Sequence, residues 1–164
     1  MPKGKPTVAD KHVSIIQSPR ANWFLLDSLD VTNSTPGVLG EAQLQWLGKA
    51  LDTQADKPAL LVAHHHPLSF GTSGLRDTEA LYEVIVSRKH VKAFFFGHSH
   101  RWKIAEHEGI QLVNLPATAW LFGKTQPRGW VDAKLGDGGA TLVLNSLDTK
   151  HPLHGETVEL KWRG

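Results

Sequence analysis

Residues 59–100 read ALLVAHHHPLSFGTSGLRDTEALYEVIVSRKHVKAFFFGHSH, and this stretch decides the fold. Two short, uninterrupted apolar runs, residues 59–63 and 91–96, have the length of buried strands, and each ends at histidines. Between them, Leu81 and Ile85 lie one helical turn apart. A strand, a helix and a second strand in this order predict a parallel unit whose polar residues meet at the carboxyl edge of the sheet.

The pattern continues on both sides of this stretch. Upstream, residues 22–27 form another apolar run, and residues 41–51 carry leucines at helical spacing. Downstream, short alternating segments with glycine turns at residues 108–109 and 136–139 predict antiparallel strands. The predicted fold class is therefore α/β, a parallel βαβ unit followed by antiparallel strands. Residues 1–21 are predicted to be a poorly ordered N-terminal lead-in.

The composition excludes several kinds of protein. With 164 residues, of which 40% are hydrophobic and 21% charged, the chain fits one globular domain. A formal charge of +2 does not indicate a nucleic-acid partner, and no apolar run approaches the ~20 residues of a membrane helix. The absence of cysteine removes disulfides, thiolate metal sites and cysteine nucleophiles. No signal peptide is predicted, so the default expectation is a cytoplasmic protein.

Histidines are the polar residues that distinguish this chain, which has ten of them. His98 and His100 follow a predicted strand and a glycine that permits a sharp turn, and residues 64–66 follow the neighbouring strand. Because adjacent strands lie ~5 Å apart, three or more imidazoles should face one another, although His65 and His66 have the alternative of facing solvent. Imidazole is the commonest side-chain ligand for zinc and related metals, so the spacing predicts a metal site.

Several segments of the chain resemble motifs of the calcineurin-like metallophosphoesterases. Residues 60–67, LLVAHHHP, and residues 94–102, FFFGHSHRW, are similar to the last two motifs of that superfamily. Residues 22–30, NWFLLDSLD, and residues 37–51, GVLGEAQLQWLGKAL, are similar to its preceding strand and helix. The resemblance implies part of a four-layer α/β/β/α metallophosphoesterase sandwich and a metal-dependent phosphodiesterase or phosphatase activity.

The resemblance also implies which residues carry the chemistry. His64 and His98 would bind one divalent metal ion and His100 a second, with His98 and His100 at the catalytic centre. His65 is the second choice in place of His64. The two ions, Mn, Fe or Zn, would lie ~3.5–4 Å apart and activate a water for in-line attack on the phosphorus of a phosphoester substrate. Two loops, residues 69–77 and 117–128, are expected to border that substrate.

Two motifs of the family's N-terminal half, G-D-x-x-D and G-N-H-D/E, do not occur in this sequence. Its D-x-H motif is matched only by residues 10–12, which lie in a polar segment and are taken as a coincidence. Residues 22–164 are therefore predicted to be the C-terminal half of the domain, weakly active alone. The expected partner is a missing N-terminal half or another chain. No nucleic-acid-binding patch and no membrane segment are predicted.

Two other functions remain open at this point. One is a non-catalytic binding or interaction module that retains the histidine edge. The other is a site for a single metal ion, built from His64, His66, His98 and His100. The number of metal ions bound per chain distinguishes these alternatives from a two-metal hydrolase.

Overall fold

The computed structural model describes residues 8–164 of the chain. This part contains nine strands, two α-helices and a short 3₁₀ helix, Leu68–Phe70. The helices are α1 (Glu41–Thr53) and α2 (Thr78–Ile85). The strands are β1 (Ser14–Gln17), β2 (Asn22–Leu25), β3 (Ala59–Val62), β4 (Val91–Phe96), β5 (Lys103–His107), β6 (Ile110–Asn114), β7 (Gly129–Leu135), β8 (Gly139–Ser146) and β9 (Thr157–Lys161).

The larger of two sheets has six strands in the order β1-β2-β3-β4-β6-β5. Its four central strands run parallel, and β1 and β5 pair antiparallel at the two edges. The predicted parallel βαβ unit is thus confirmed as β3-α2-β4. The predicted antiparallel pairing is also confirmed for β5 with β6 and for β7-β8-β9, the smaller sheet. The alternating pattern did not predict that β6 also pairs in parallel with β4.

The six-stranded sheet is covered on both faces, which explains its continuous apolar runs. Phe94 and Phe96 of β4 pack with the core beneath the two helices. The intervening Ala93 and Phe95 pack with Leu142 of β8 and its neighbours in the smaller sheet. A strand buried on both faces needs no polar alternation, so VKAFFF has none. The described residues therefore form three layers, helices, large sheet and small sheet.

The α/β character predicted from the sequence is confirmed by this arrangement. In the described part of the chain, neither helix is long and apolar enough to cross a membrane.

The predicted N-terminal lead-in, residues 1–21, differs in part from the structure. Residues 1–7 lie outside the described residues, but Ser14–Gln17 form β1, with Ile15 opposite Phe24 of β2. An edge strand has a partner on one side only, and Ile16 is 53% exposed. Because so little of β1 is buried, its sequence carries only a weak apolar signal, and the strand was missed.

Helix α2 ends at Ile85, three residues before Arg88. The side chain of Arg88 instead donates to Asp52 near the end of α1, with Nε–Oδ1 at 2.7 Å and Nη2–Oδ2 at 2.8 Å. This two-point pairing lowers the pKa of Asp52 and raises that of Arg88. The segment after α2 is thereby attached to α1.

Asp77 links the starts of the two helices in a way that the sequence did not show. It is the N-cap residue of α2, but its side chain makes no capping hydrogen bond to α2. Its carboxylate accepts hydrogen bonds from the backbone amides of Leu39, at 3.0 Å, and Gly40, at 2.8 Å. These amides lie where α1 begins, so Asp77 caps the neighbouring helix.

Replacing Asp77 by alanine is expected to lower the free energy of unfolding by about 1–2 kcal/mol, because two amides at the start of α1 lose their acceptor. Urea denaturation followed by circular dichroism measures this. Asp137→Ala is the matched control, since the Asp137 side chain is 97% exposed and pairs with Arg20 at the surface. Equal stability losses in the two variants would contradict the role assigned to Asp77.

Candidate metal centre

The parallel pairing of β3 with β4 continues past the ends of both strands. The amide of Ala63 donates to the carbonyl of Phe95 at 3.1 Å, and the amide of Gly97 donates to the carbonyl of His64 at 3.0 Å. This pairing brings the side chain of His64 beside that of His98. Nε2 of His64 and Nδ1 of His98 are 3.1 Å apart and hydrogen-bond to each other. The structure thus brings together two of the histidines that the sequence singled out.

A tight turn presents His98 and His100 at the end of β4. Both residues have left-handed backbone conformations, with φ of 65° and 54°. Between them, the amide of Ser99 donates to the carbonyl of Gly97 at 2.7 Å. A left-handed conformation is unfavourable for most residues with a side chain, although histidine is found there more often than most. Two such residues in three therefore mark a strained turn, of the kind that is concentrated at functional sites.

The imidazoles of His64 and His98 are held in their neutral forms. Burial and the adjacent histidines, chiefly His65 and His64, lower the pKa of His98 to about 4. Burial, with smaller contributions from His100 and His66, also lowers the pKa of His64. A neutral imidazole has a free electron pair on one nitrogen, which is the form that binds a metal ion. His98 at neutral pH is therefore ready to act as a ligand.

His65 lies next to these residues, but both of its ring nitrogens already have partners in the protein. Nε2–H donates to the carbonyl of Thr35 at 2.9 Å, and Nδ1 accepts from the hydroxyl of Ser28 at 2.8 Å. The Ser28 hydroxyl in turn accepts from the backbone amide of His65 at 3.2 Å. The residue is 5% exposed. His65 thus acts as a buried connection between the end of β3 and the loop after β2.

His66 is also buried, with 1% of its surface exposed, and does not face solvent. Its Nδ1 donates to the carbonyl of Pro67 at 2.8 Å. Gly74 lies so close to the ring that a β-carbon there would come within 2.6 Å of Nδ1. The loop of residues 69–77 therefore packs on His66. Among the described residues, none from this loop lines the cavity at His64 and His98, although the sequence predicted that the loop borders the substrate.

His100 shares a cavity with His64 and His98. The cavity has a volume of about 310 Å³, and the segment from Leu115 to Trp120 forms its opposite wall. Nδ1 of His100 is buried and has no hydrogen-bond partner among residues 8–164. A buried nitrogen without a partner is unusual, because it forfeits the hydrogen bond that it made with water. His100 therefore lines the cavity and has one ring nitrogen without a partner among the described residues.

The histidine nitrogens have the spacing that a metal ion requires. Ligand atoms of His64, His65 and His98 all lie within 4.8 Å of one another, and His100 is outside this group. We favour His64 and His98 over His65, because both nitrogens of His65 are engaged. Two nitrogens bound tetrahedrally to one zinc ion at ~2.05 Å would be ~3.3 Å apart. The 3.1 Å between His64 and His98 is close to this value, so the pair fits a shared ion.

Asn114 positions the turn that carries His98 and His100, and sequence reasoning missed it. It is fully buried at the end of β6, where it lies opposite Phe96. Its side-chain oxygen accepts from the hydroxyl of Ser99 at 2.6 Å, and its amide nitrogen donates to the carbonyls of Arg101 and Leu115. One side chain therefore fixes the turn on both sides of His100. A polar residue that ends an apolar run, as in IQLVN, was the available signal.

Comparison with known proteins gives relatives in sequence and in structure, but no match to a protein-family model. The chain is 36% identical over 131 residues to the 3′,5′-cyclic adenosine monophosphate phosphodiesterase CpdA of Escherichia coli (strain K12), covering 77% of this chain and 47% of that protein. It is 31% identical over 109 residues to a 3′,5′-cyclic-nucleotide phosphodiesterase of Nostoc sp., covering 63% of this chain and 41% of that protein. The chain therefore spans less than half the length of these relatives.

Two solved structures share the fold over nearly the whole chain. A dimetal phosphatase from Danio rerio superimposes with a TM-score of 0.71 at 16% identity, covering 94% of this chain and 62% of that chain. GAP50, the anchor in the inner membrane complex of Plasmodium, superimposes with a TM-score of 0.62 at 12% identity, covering 94% of this chain and 54% of that chain. At these identities the likeness establishes the common fold.

Gly37→Ala is expected to destabilise the protein by about 1–3 kcal/mol, because a new methyl group would overpack the site beneath His65. The added β-carbon would come within 2.5 Å of the His65 ring and 2.7 Å of the Ser28 carbonyl oxygen. Thermal unfolding measures the loss. Gly138→Ala is the control, since no heavy atom lies within 4 Å of a β-carbon there. A Gly37→Ala variant as stable as this control would disprove the close contact.

Asn114→Ala is expected to destabilise the protein by about 1–3 kcal/mol, because it leaves two partly buried carbonyls and the Ser99 hydroxyl without their partner. Chemical denaturation gives the stability, and heteronuclear NMR should show the largest line broadening in residues 97–101. Asn145→Ala is the comparison, because Asn145 bonds Asp132 at the surface. If both variants leave the amide signals of residues 97–101 unchanged, Asn114 does not hold the turn.

Proposed function

We propose that this chain belongs to the calcineurin-like metallophosphoesterase superfamily and forms the C-terminal half of a metal-dependent phosphoester hydrolase domain. In this proposal residues 22–164 are that half of the domain. The observation that carries the proposal is the opposed pair of nitrogens on His64 and His98, 3.1 Å apart at the carboxyl edge of the parallel sheet. Ligand sites in open α/β sheets lie at this edge.

The proposed metal ligands are His64 and His98 for one divalent ion and His100 for another. The neutral state of His98 and the spacing of the His64–His98 pair support the first assignment. The unpartnered, buried Nδ1 of His100 supports the second, because a metal ion would supply the interaction that this nitrogen lacks. Manganese, iron and zinc all accept imidazole ligands, and the donor set does not select among them.

The other residues of the site support these ligands. His65, held by Ser28 and Thr35, fixes the backbone directly after His64. Asn114 fixes the backbone on either side of His100. Divalent ions held there would supply Lewis acidity, which polarises phosphoryl oxygens and lowers the pKa of a metal-bound water towards neutral. The chain's own task is to hold imidazoles in a preformed arrangement, so that little reorganisation is needed when a phosphoester binds.

The proposed substrate is a phosphoester, and a phosphodiester is favoured by the names of the relatives in Escherichia coli and Nostoc. The three proposed histidine ligands would be too few for two tightly bound catalytic ions, since such sites normally use three or four protein ligands each. The G-D-x-x-D and G-N-H-D/E motifs of the family are absent from this sequence. We therefore propose that full activity requires the residues of the N-terminal half, supplied from elsewhere.

The 164-residue chain is expected to bind Zn²⁺ or Mn²⁺, and His98→Ala should weaken this binding about tenfold or more because a ligand is lost. Isothermal titration calorimetry of the purified chain, pretreated with a chelator, measures affinity and stoichiometry. His151→Ala is the control, because His151 lies in a separate loop where its Nδ1 accepts from the amide of Leu153. Unchanged affinity in His98→Ala would refute the assignment of the site.

The stoichiometry also separates the proposed function from its alternatives. Two ions per chain support the hydrolase half-domain. One ion that is lost in both His64→Ala and His98→Ala supports a single-metal site. If the protein is well folded and binds no metal, the result supports a non-catalytic binding module that retains histidines at the sheet edge.

A further inference from the structure

A second cavity adjoins the metal centre at His100. It has a volume of about 530 Å³, and its wall includes residues on both sides of the turn that carries His100. His100 therefore lines this cavity as well as the smaller one that it shares with His64 and His98. The volume lies within the range of ~300–1,000 Å³ that is typical of small-molecule sites. We refer to it as the aromatic cavity, after Phe122 in its wall.

The charged residues of the aromatic cavity are basic. Arg101 and Lys103 line it, and none of the described residues in its wall is acidic. Both side chains are exposed, and Lys103 lies over the ring of Phe70, with Nζ 5.0 Å from the ring centre. A concave surface with charges of one sign concentrates ligands of the opposite sign. The cavity therefore favours an anionic ligand.

Phe122 presents an aromatic surface at the same place. Its ring stacks on His100 with centres 4.5 Å apart and an angle of 29°, and Trp120 meets both rings at 4.7 Å and 4.5 Å. Despite these contacts, Phe122 is 72% exposed and Trp120 is 57% exposed. Large apolar side chains left exposed in a cluster mark surfaces that bind something. A flat ring is the partner that stacks best on such a surface.

Gln126 adds a hydrogen-bond donor to the wall. The backbone amide of Trp102 donates to Oε1 of Gln126 at 3.0 Å, which fixes the side-chain amide. Nε2 of Gln126 makes no hydrogen bond with any other described residue, so it remains able to donate to a ligand. The cavity therefore suits a ligand with three features. A planar ring would stack on the aromatic surface, an acceptor on that ring would bond the amide donor, and an attached anionic group would interact with the basic side chains.

We propose that the aromatic cavity binds a planar ring substituent of the phosphoester, with Phe122 stacking on the ring. Gln126 donates a hydrogen bond to the edge of the ring. Arg101 and Lys103 attract the anionic phosphate group of the ester. This inference rests on the proposed function only in taking the ligand to be a phosphoester. Phe122 would then be the residue that selects aromatic esters over aliphatic ones of the same size.

The test compares phenyl phosphate with cyclohexyl phosphate, two monoesters of similar size, of which only the first has a planar ring. Binding to the chelator-treated 164-residue chain is measured by NMR titration, with inorganic phosphate as the reference for the anionic group alone. The chain should bind phenyl phosphate about fivefold or more tightly than cyclohexyl phosphate, as stacking on a side chain predicts. Phe122→Leu should abolish this preference while retaining the affinity for inorganic phosphate. Arg101→Gln should weaken both esters alike.

Trp130→Leu is the matched control, because Trp130 is 51% exposed and lies on β7, outside the cavity wall. A preference for phenyl phosphate that survives in Phe122→Leu, or is equally lost in Trp130→Leu, overturns the inference. So does equal binding of the two esters by the unmodified chain. Because no metal is present, the result is independent of metal titration. If the unmodified chain binds metal but shows no preference for phenyl phosphate, this inference alone is refuted. If it shows the preference but binds no metal, the proposed function alone is refuted.

Discussion

Two backbone hydrogen bonds, from the amide of Ala63 to the carbonyl of Phe95 and from the amide of Gly97 to the carbonyl of His64, extend the pairing of β3 and β4 beyond the strands themselves. Without this extension the two chain segments would diverge at the sheet edge, and the imidazoles of His64 and His98 would not be held together. Packing on both sheet faces also holds β3 and β4 in place beneath the site. The backbone pairing thus sets the positions from which the side chains of His64 and His98 meet.

The three adjacent histidines after β3 differ in burial and in the hydrogen bonds of their ring nitrogens. His64 is exposed and directs Nε2 at His98, whereas His65 is buried and bonded through both nitrogens. His66 is bonded to its neighbour Pro67 and covered by Gly74. One residue is therefore available for a ligand while the next two fix the loop that follows. Three identical residues in a row therefore differ in their burial and in their hydrogen-bond partners.

The sequence predicted most of the fold because the apolar runs of β3 and β4 are continuous and bounded by proline, glycine and histidine. It predicted the contact of His64 with His98 for the same reason, since parallel neighbours end at one edge. It did not predict β1, which is largely exposed, or the capping of α1 by Asp77, which depends on a contact between residues 37 positions apart. Asn114 was missed because its partners, Ser99 and Arg101, are brought to it only when β6 inserts beside β4.

The left-handed conformations of His98 and His100 have a consequence for how this chain tolerates mutation. The backbone conformation at each position is less costly for glycine, because only glycine adopts a positive φ without steric penalty. Selection on backbone strain alone would therefore favour glycine over histidine in this turn. A homologue that has lost its chemistry, and retains the fold as a binding surface, should drift towards Gly or Asn at these two positions. In the proposed function, the positive φ at residues 98 and 100 is therefore a cost of placing two imidazoles in this turn.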